Sequence, residues 1–215
     1  MRKFILVFIL LMAIASAAGA SQTGGLVTNV GEGGLSLSAG ISYITKDIEN
    51  GGPKEEMSAR QLIIKGSYGL LPNLDLSVKL GFADIKTDNF EGRLDALYGV
   101  GLKFKLFSDP EDKVNVFIDG EVSKFTSSDS ATDAEILDYN GAFVISNKAG
   151  NMTPYGGIKV SQTEVDISGF SKFRADKNIG IVGGVDYFVN PNVFFTGEVN
   201  IFDQDALYIG AGYKF

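Results

Sequence analysis

Apolar and polar residues alternate along most of the chain. In residues 35–43, for example, Leu35 and Leu37 alternate with Ser36 and Ser38. Successive side chains of a β-strand point to opposite faces, so this period of two predicts a strand with one apolar and one polar face. The same pattern predicts about ten strands, at 35–43, 61–68, 74–83, 98–106, 114–123, 138–146, 152–163, 178–187, 193–201 and 207–215.

The connections between the predicted strands are of two alternating kinds. Tight turns rich in Pro, Asn, Asp and Gly lie at 71–72, 108–112, 148–151 and 189–192, and longer polar loops lie at 46–58, 86–92, 126–135 and 164–176. Short turns on one side and long loops on the other are the layout of an outer-membrane barrel, whose loops face the exterior. We therefore predict an all-β fold, a transmembrane antiparallel up-and-down barrel over residues 34–215. Loss of the strand that contains Pro154, together with a neighbour, would give the alternative count of eight.

The start of the chain has the order of a secretory signal peptide. A basic start, an apolar run over residues 4–14 and small residues up to Ala20 follow one another. The apolar run is too short to cross a ~30 Å hydrocarbon core at ~1.5 Å per residue, which argues against an uncleaved anchor. We expect a signal peptide at 1–20, with cleavage after Ala20 or, as second choice, after Ala17. Residues 21–33 would then form a short periplasmic segment of an exported protein.

The composition excludes several kinds of chemistry. The chain has no Cys, which excludes disulfides, thiolate zinc sites and thiol nucleophiles. It has no His, which excludes His-based triads, His-ligated metals and a His general base. Its net charge of −7 argues against a nucleic-acid partner. We expect neither a cofactor nor a bound metal.

We expect the charged face of the predicted strands to point into the barrel. In a membrane barrel the apolar face meets lipid and the polar face lines the lumen, where low dielectric requires opposite charges to pair. The predicted lumen network contains equal numbers of basic and acidic residues, namely Lys65, Lys79, Lys103, Lys105, Lys159 and Lys214 with Asp75, Asp119, Glu121, Asp138, Asp186 and Glu198. The alternative for each is the solvated face of a soluble sheet. Asp119 and Glu121 share one face and could do acid–base chemistry, but we expect them to pair with lysines.

The chain resembles the small outer-membrane β-barrel superfamily of Gram-negative bacteria, the porin-like and OmpA/OmpX-like barrels, over residues 34–215. The most specific element is the last strand, where Leu207 and Ile209 alternate toward Tyr213 and Phe215. The resemblance implies that Tyr213 and Phe215 are read by the barrel-assembly machinery, and that outer-membrane lipid surrounds the barrel. Enzymes of this size in the superfamily use a catalytic His, so the resemblance together with the composition implies a protein that is not an enzyme.

Two functions follow from this reading. The first is a monomeric barrel with a lumen filled by side chains and a structural or adhesive role through its extracellular loops. Besides the charges, four inward aromatic residues would occupy the lumen, namely Phe117, Tyr155, Phe194 and Tyr208. The alternative is a narrow passive channel for ions or small solutes, because inward Gly and Ser could leave a wet path. The acidic residues predicted at the outer rim could collect divalent cations weakly, but we expect them to be solvated; they are Asp203, Asp205, Asp129, Asp133 and Glu135.

Overall fold

The computed structural model describes residues 27–88, 90–129, 132–168 and 172–215. The predicted signal peptide at 1–20 lies outside the described residues. No helix in the described part of the chain is long and apolar enough to cross a membrane. The strands are β1 Leu35–Glu49, β2 Glu55–Leu71, β3 Leu74–Lys86, β4 Asp95–Ser108, β5 Val114–Ser128, β6 Asp133–Asn147, β7 Met152–Ile167, β8 Phe173–Ala175, β9 Ile179–Phe188, β10 Val193–Ile201 and β11 Asp205–Lys214.

The strands form one closed antiparallel sheet. Each long strand pairs with its neighbours in sequence, β7 pairs with β9, and β11 pairs with β1 to close the barrel. Among the described residues closure leaves no edge strand, so the ladder N–H and C=O groups pair within the sheet, as hydrocarbon requires. Ten strands thus form the wall, which confirms the predicted fold class, and β8 is an additional short strand.

The two faces of the wall have the predicted chemistry. Leu, Val, Ile, Tyr and Phe point outward and are half-exposed, as the neighbouring Val78 and Val100 show at 44% and 57% exposure. The residues between them point inward and are polar or charged, as Lys79 is at 2% exposure. An apolar belt therefore surrounds a polar interior.

The strands extend further toward the exterior than the sequence pattern predicted. The predicted loops at 46–58 and 126–135 are largely strand, and only 50–54 and 129–132 connect β1 to β2 and β5 to β6. In these extensions the two faces exchange chemistry: on β5, Lys124 points outward and Phe125 inward. Water surrounds the wall here, so the polar face turns outward and the apolar face is buried. The loop predictions were wrong because the exchange interrupts the pattern that marks a membrane strand.

The part of the barrel beyond the apolar belt, on the side of the strand extensions, has its own apolar core. A single cluster of buried side chains fills its interior, made of Ile44, Ile48, Met57, Ala59, Ala83, Ile85, Phe90, Leu97, Phe125, Ala134, Ile136, Val165, Ile167, Phe173 and Ala206. The short strand β8 completes the wall around this core. Its Phe173 pairs with Val165 of β7, and its Ala175 pairs with Ile48 of β1, above the outer ends of the shorter strands β9 to β11. Apolar side chains are thus packed inside the lumen at this end.

A conservative substitution distinguishes this core from the lipid-facing belt. We expect Ile136→Val to lower the free energy of unfolding by about 0.5–1.5 kcal/mol, because the surrounding core relaxes only partly into the lost methyl group. Ile145→Val on the same strand is the matched control, since Ile145 is 49% exposed on the outward face and a lipid chain fills the space. Urea unfolding in lipid vesicles measures both, and equal losses would contradict the assignment of Ile136 to a packed core.

Candidate functional site

The centre of the lumen holds a buried triad of charges from three strands. Lys65 of β2 and Lys79 of β3 face each other in the ladder, and their ammonium groups repel. Glu121 of β5 separates them: Lys65 Nζ lies 2.9 Å from Glu121 Oε2, and Lys79 Nζ binds Glu121 Oε1. All three side chains are at least 95% buried. One carboxylate therefore serves two lysines, with each oxygen taking one of them.

Two glycines of β4 make room for this triad. Gly99 lies opposite Lys79 and Gly101 lies opposite Glu121 in the ladder, so both are between the charged strands. A Cβ on Gly101 would lie 2.7 Å from Ser77 Oγ, and one on Gly99 would lie 2.8 Å from the backbone oxygen of Val122. A side chain at either position would therefore collide with the neighbouring strands, between which the lysines reach across β4 to Glu121.

Further polar contacts lie elsewhere in the lumen. Lys103 Nζ lies 3.7 Å from Asp119 Oδ2 beside the triad. On the opposite wall the Tyr155 hydroxyl donates to Glu198 Oε2 at 2.8 Å, and the Asn200 amide donates to Glu198 Oε1 at 3.2 Å. The interior therefore contains charged side chains in direct contact with polar partners.

The structure brings most of the predicted network residues together inside the barrel. Nine of them are buried: Lys65, Asp75, Lys79, Asp119, Glu121, Asp138, Lys159, Asp186 and Glu198. Lys103 is half-buried at its contact with Asp119. Lys105 and Lys214 do not reach this group and lie at the periplasmic mouth instead. The predicted inward aromatic residues Phe117, Tyr155, Phe194 and Tyr208 are all buried.

Two charged residues of the interior were not predicted. Lys46 fell in a predicted loop, yet it is 4% exposed and donates to Thr163 Oγ1 at 2.6 Å. Asp203 was expected at the solvated rim, but it is 3% exposed and its Oδ2 lies 3.1 Å from Lys159 Nζ. The expectation was wrong because β10 and β11 are short, which places their connection at the level where Lys159 needs a counter-charge. The sequence did contain a signal for Lys46. It lies two residues after Ile44 on the same strand, so the two side chains point to the same face.

The N-terminal stretch enters the barrel at the end where the predicted tight turns lie. Val27 and Val30 are buried, and their backbone N–H groups donate to Asp186 Oδ2 and Asp75 Oδ2, each at 2.8 Å. The chain then passes so close to β2 that a Cβ on Gly69 would lie 1.8 Å from the Gly31 carbonyl oxygen. Two carboxylates of the predicted lumen network are therefore bound by backbone amides, contacts that a strand pattern does not reveal.

A cavity of about 670 Å³ remains at the periplasmic end. It is lined by the N-terminal stretch, the inner ends of the strands and three turns, and it includes Lys105 and Lys214. Above it the buried network and the apolar core occupy the lumen. No group of three or more acidic residues in the described ranges is placed to hold a metal ion.

Comparisons with known proteins agree with the barrel fold. The family model for the outer membrane protein beta-barrel domain matches residues 71–215. No curated protein sequence matches the chain.

Among solved structures, an outer membrane channel from Pseudomonas putida F1 is similar with a TM-score of 0.51 and 10% identity, covering 91% of this chain and all of that one. OprG from Pseudomonas aeruginosa gives a TM-score of 0.40 at 15% identity, covering 87% of this chain and 99% of OprG. At such identities a likeness concerns the fold alone. The family match covers more than half of the chain, and the chain therefore belongs to the outer membrane protein beta-barrel domain family and resides in the bacterial outer membrane.

Proposed function

We propose that the protein is a non-conducting, non-enzymatic barrel that presents a rigid rim outside the cell for structural or adhesive contacts. The observation that carries this proposal is the occupation of the lumen at three successive levels. Val27 and Val30 are buried in it beside the periplasmic cavity, the triad around Glu121 crosses its centre, and the apolar core closes its outer end. Ions cannot cross a dry apolar layer without losing their hydration, which is costly.

The inward carboxylates support a protein without catalysis. Glu121 binds two lysines, and Asp119 lies next to Lys103, so both are used as counter-charges. A general base needs a free carboxylate within reach of a substrate proton. Burial at 4% and 6% exposure also separates these two groups from either mouth of the barrel.

The rim consists of strand extensions joined by polar contacts between neighbours. Lys124 pairs with Glu135 at 2.6 Å across β5 and β6, and Arg174 of β8 pairs with Glu164 of β7 at 3.2 Å. The hydrogen bond to Asp176 raises the pKa of the exposed Lys54 in the first loop. Short loops on a hydrogen-bonded wall give a surface of fixed shape, which suits contact with a partner or a neighbouring surface.

The last strand fits the role that the resemblance gives it. Tyr213 and Phe215 point outward at 43% and 66% exposure, and their rings meet edge to face with centroids 4.8 Å apart. Both side chains are thus open to a partner while the barrel is still being assembled. We propose that the barrel-assembly machinery recognises them and that the assembled barrel is a monomer.

Conductance tests the proposal against a narrow channel. We expect the purified protein in a planar lipid bilayer to show no discrete current steps, while a porin reconstituted in the same way conducts. A variant that lacks residues 21–30 is also expected to stay silent, since the apolar core still closes the outer end. Discrete openings of the full protein would refute the closed barrel and favour the passive channel. Openings of the shortened variant alone would show that the N-terminal stretch is the seal.

A further inference from the structure

The periplasmic cavity gathers positive charge in a chain that is acidic overall. Lys105 comes from β4, Lys148 from the turn after β6, and Lys214 from β11, and all three line the cavity. Within the described ranges none of them lies within ion-pair distance of a carboxylate. The one acidic residue of the lining is Asp112, and its Oδ1 accepts a hydrogen bond from Ser108 at 2.6 Å. The lining therefore carries an excess of positive charge.

The same cavity contains polar atoms without partners. Asn115 is 3% exposed, and its Nδ2 donates to the backbone oxygen of Asp112 at 3.3 Å. Its Oδ1 is buried with no hydrogen-bond partner among the described residues. The side-chain Nδ2 and Oδ1 of Asn29 are likewise buried and have no hydrogen-bond partner among the described residues. A buried acceptor without a donor costs free energy, so both asparagines gain from a ligand that brings a hydrogen-bond donor. Because these atoms are closed to water in this structure, the donor reaches them only when the two side chains turn toward the ligand.

We propose that this cavity binds a small periplasmic anion that combines carboxylate or phosphate oxygens with at least one hydroxyl or N–H group. Lys105, Lys148 and Lys214 bind the oxygens, and the carboxamide oxygens of Asn115 and Asn29 accept from the donor group once their side chains have turned toward it. A volume of about 670 Å³ suits a molecule of a few carbon atoms with its bound water. The site opens to the periplasm only at the inner end, so its occupation does not depend on whether the lumen conducts.

Calorimetric titration of the folded, purified barrel with citrate and with inorganic phosphate tests the proposal. We expect one of the two to bind. The anion that binds more tightly shows whether the site prefers carboxylate or phosphate oxygens. Lys148→Gln and Lys214→Gln should each weaken that binding by about fivefold, as expected for a half-exposed ion pair. Lys113→Gln is the matched control, because Lys113 lies at the same rim but pairs with Glu111 and is outside the lining. Its affinity should equal that of the wild type.

A second comparison tests the two asparagines. Tricarballylate has the three carboxylates of citrate but no hydroxyl, so we expect it to bind more weakly by about threefold to tenfold, the value of one hydrogen bond. Equal affinities for the two acids would overturn the role of Asn115 and Asn29. The whole proposal is overturned if neither anion binds at about 10 mM. It is also overturned if the lysine variants, folded as judged by heat-modifiable gel mobility, bind as the wild type does.

Discussion

Replacement of Glu121 by glutamine is expected to lower the free energy of unfolding by about 3–5 kcal/mol. The carboxylate lies between Lys65 and Lys79, which face each other in the ladder, and all three side chains are buried. Without it, two like charges lie side by side with no counter-charge in a medium of low dielectric. The chain has no Trp, so urea unfolding in lipid vesicles is best followed by circular dichroism and by gel mobility.

Two further variants separate this effect from a general loss of charge. Glu91→Gln breaks the pair of Glu91 with Lys86, which is 3.1 Å long with both side chains mostly exposed, and it should cost less than about 1 kcal/mol. Replacement of the whole triad by apolar residues, with Lys65→Met, Lys79→Met and Glu121→Leu together, should recover most of the stability. If the triple variant is as unstable as Glu121→Gln, unpaired charge is not the cause of the loss.

The alternation of residue types was sufficient to predict the membrane part of the barrel. A strand that separates lipid from a polar lumen must change chemistry at every residue, so the pattern directly gives the strand, its faces and its partners in the closed sheet. Lys79 and Glu121, for example, lie on the inward face that the pattern indicated. The same rule explains why the strand extensions above the membrane were predicted as loops. There the apolar face turns inward, as at Lys124 and Phe125, and the pattern continues with its faces exchanged.

The contacts across the lumen could not be predicted from the residue pattern of the individual strands. Which lysine meets which carboxylate depends on the stagger of the strands around the barrel, and neighbours in the ladder such as Lys65 and Lys79 are of like charge. Asp75 and Asp186 are bound by the backbone N–H groups of Val30 and Val27, and a backbone donor leaves no mark in the residue pattern. A balance of charges could thus be predicted, but not the pairs within it.

Replacement of Val100 by arginine is expected to lower the free energy of unfolding in lipid by about 2–4 kcal/mol. Val100 points outward at 57% exposure, beside Val78 of β3 and Val122 of β5. Tyr98 and Leu102 flank it on the same face, so it lies in the middle of the apolar belt. An arginine there must leave its guanidinium in hydrocarbon or draw water and headgroups inward, and both cost free energy.

Thr45→Arg is the matched control for Val100→Arg. Thr45 also points outward, but it follows Tyr43 at the outer limit of the belt and lies opposite Asp205 in the ladder. A guanidinium there is in water beside a carboxylate, so the stability should change by less than about 0.5 kcal/mol. Equal losses for the two variants would mean that the belt extends to Thr45. A Val100→Arg variant as stable as the wild type would mean that the outward face at Val100 does not meet lipid, and the inward charges would then need another explanation.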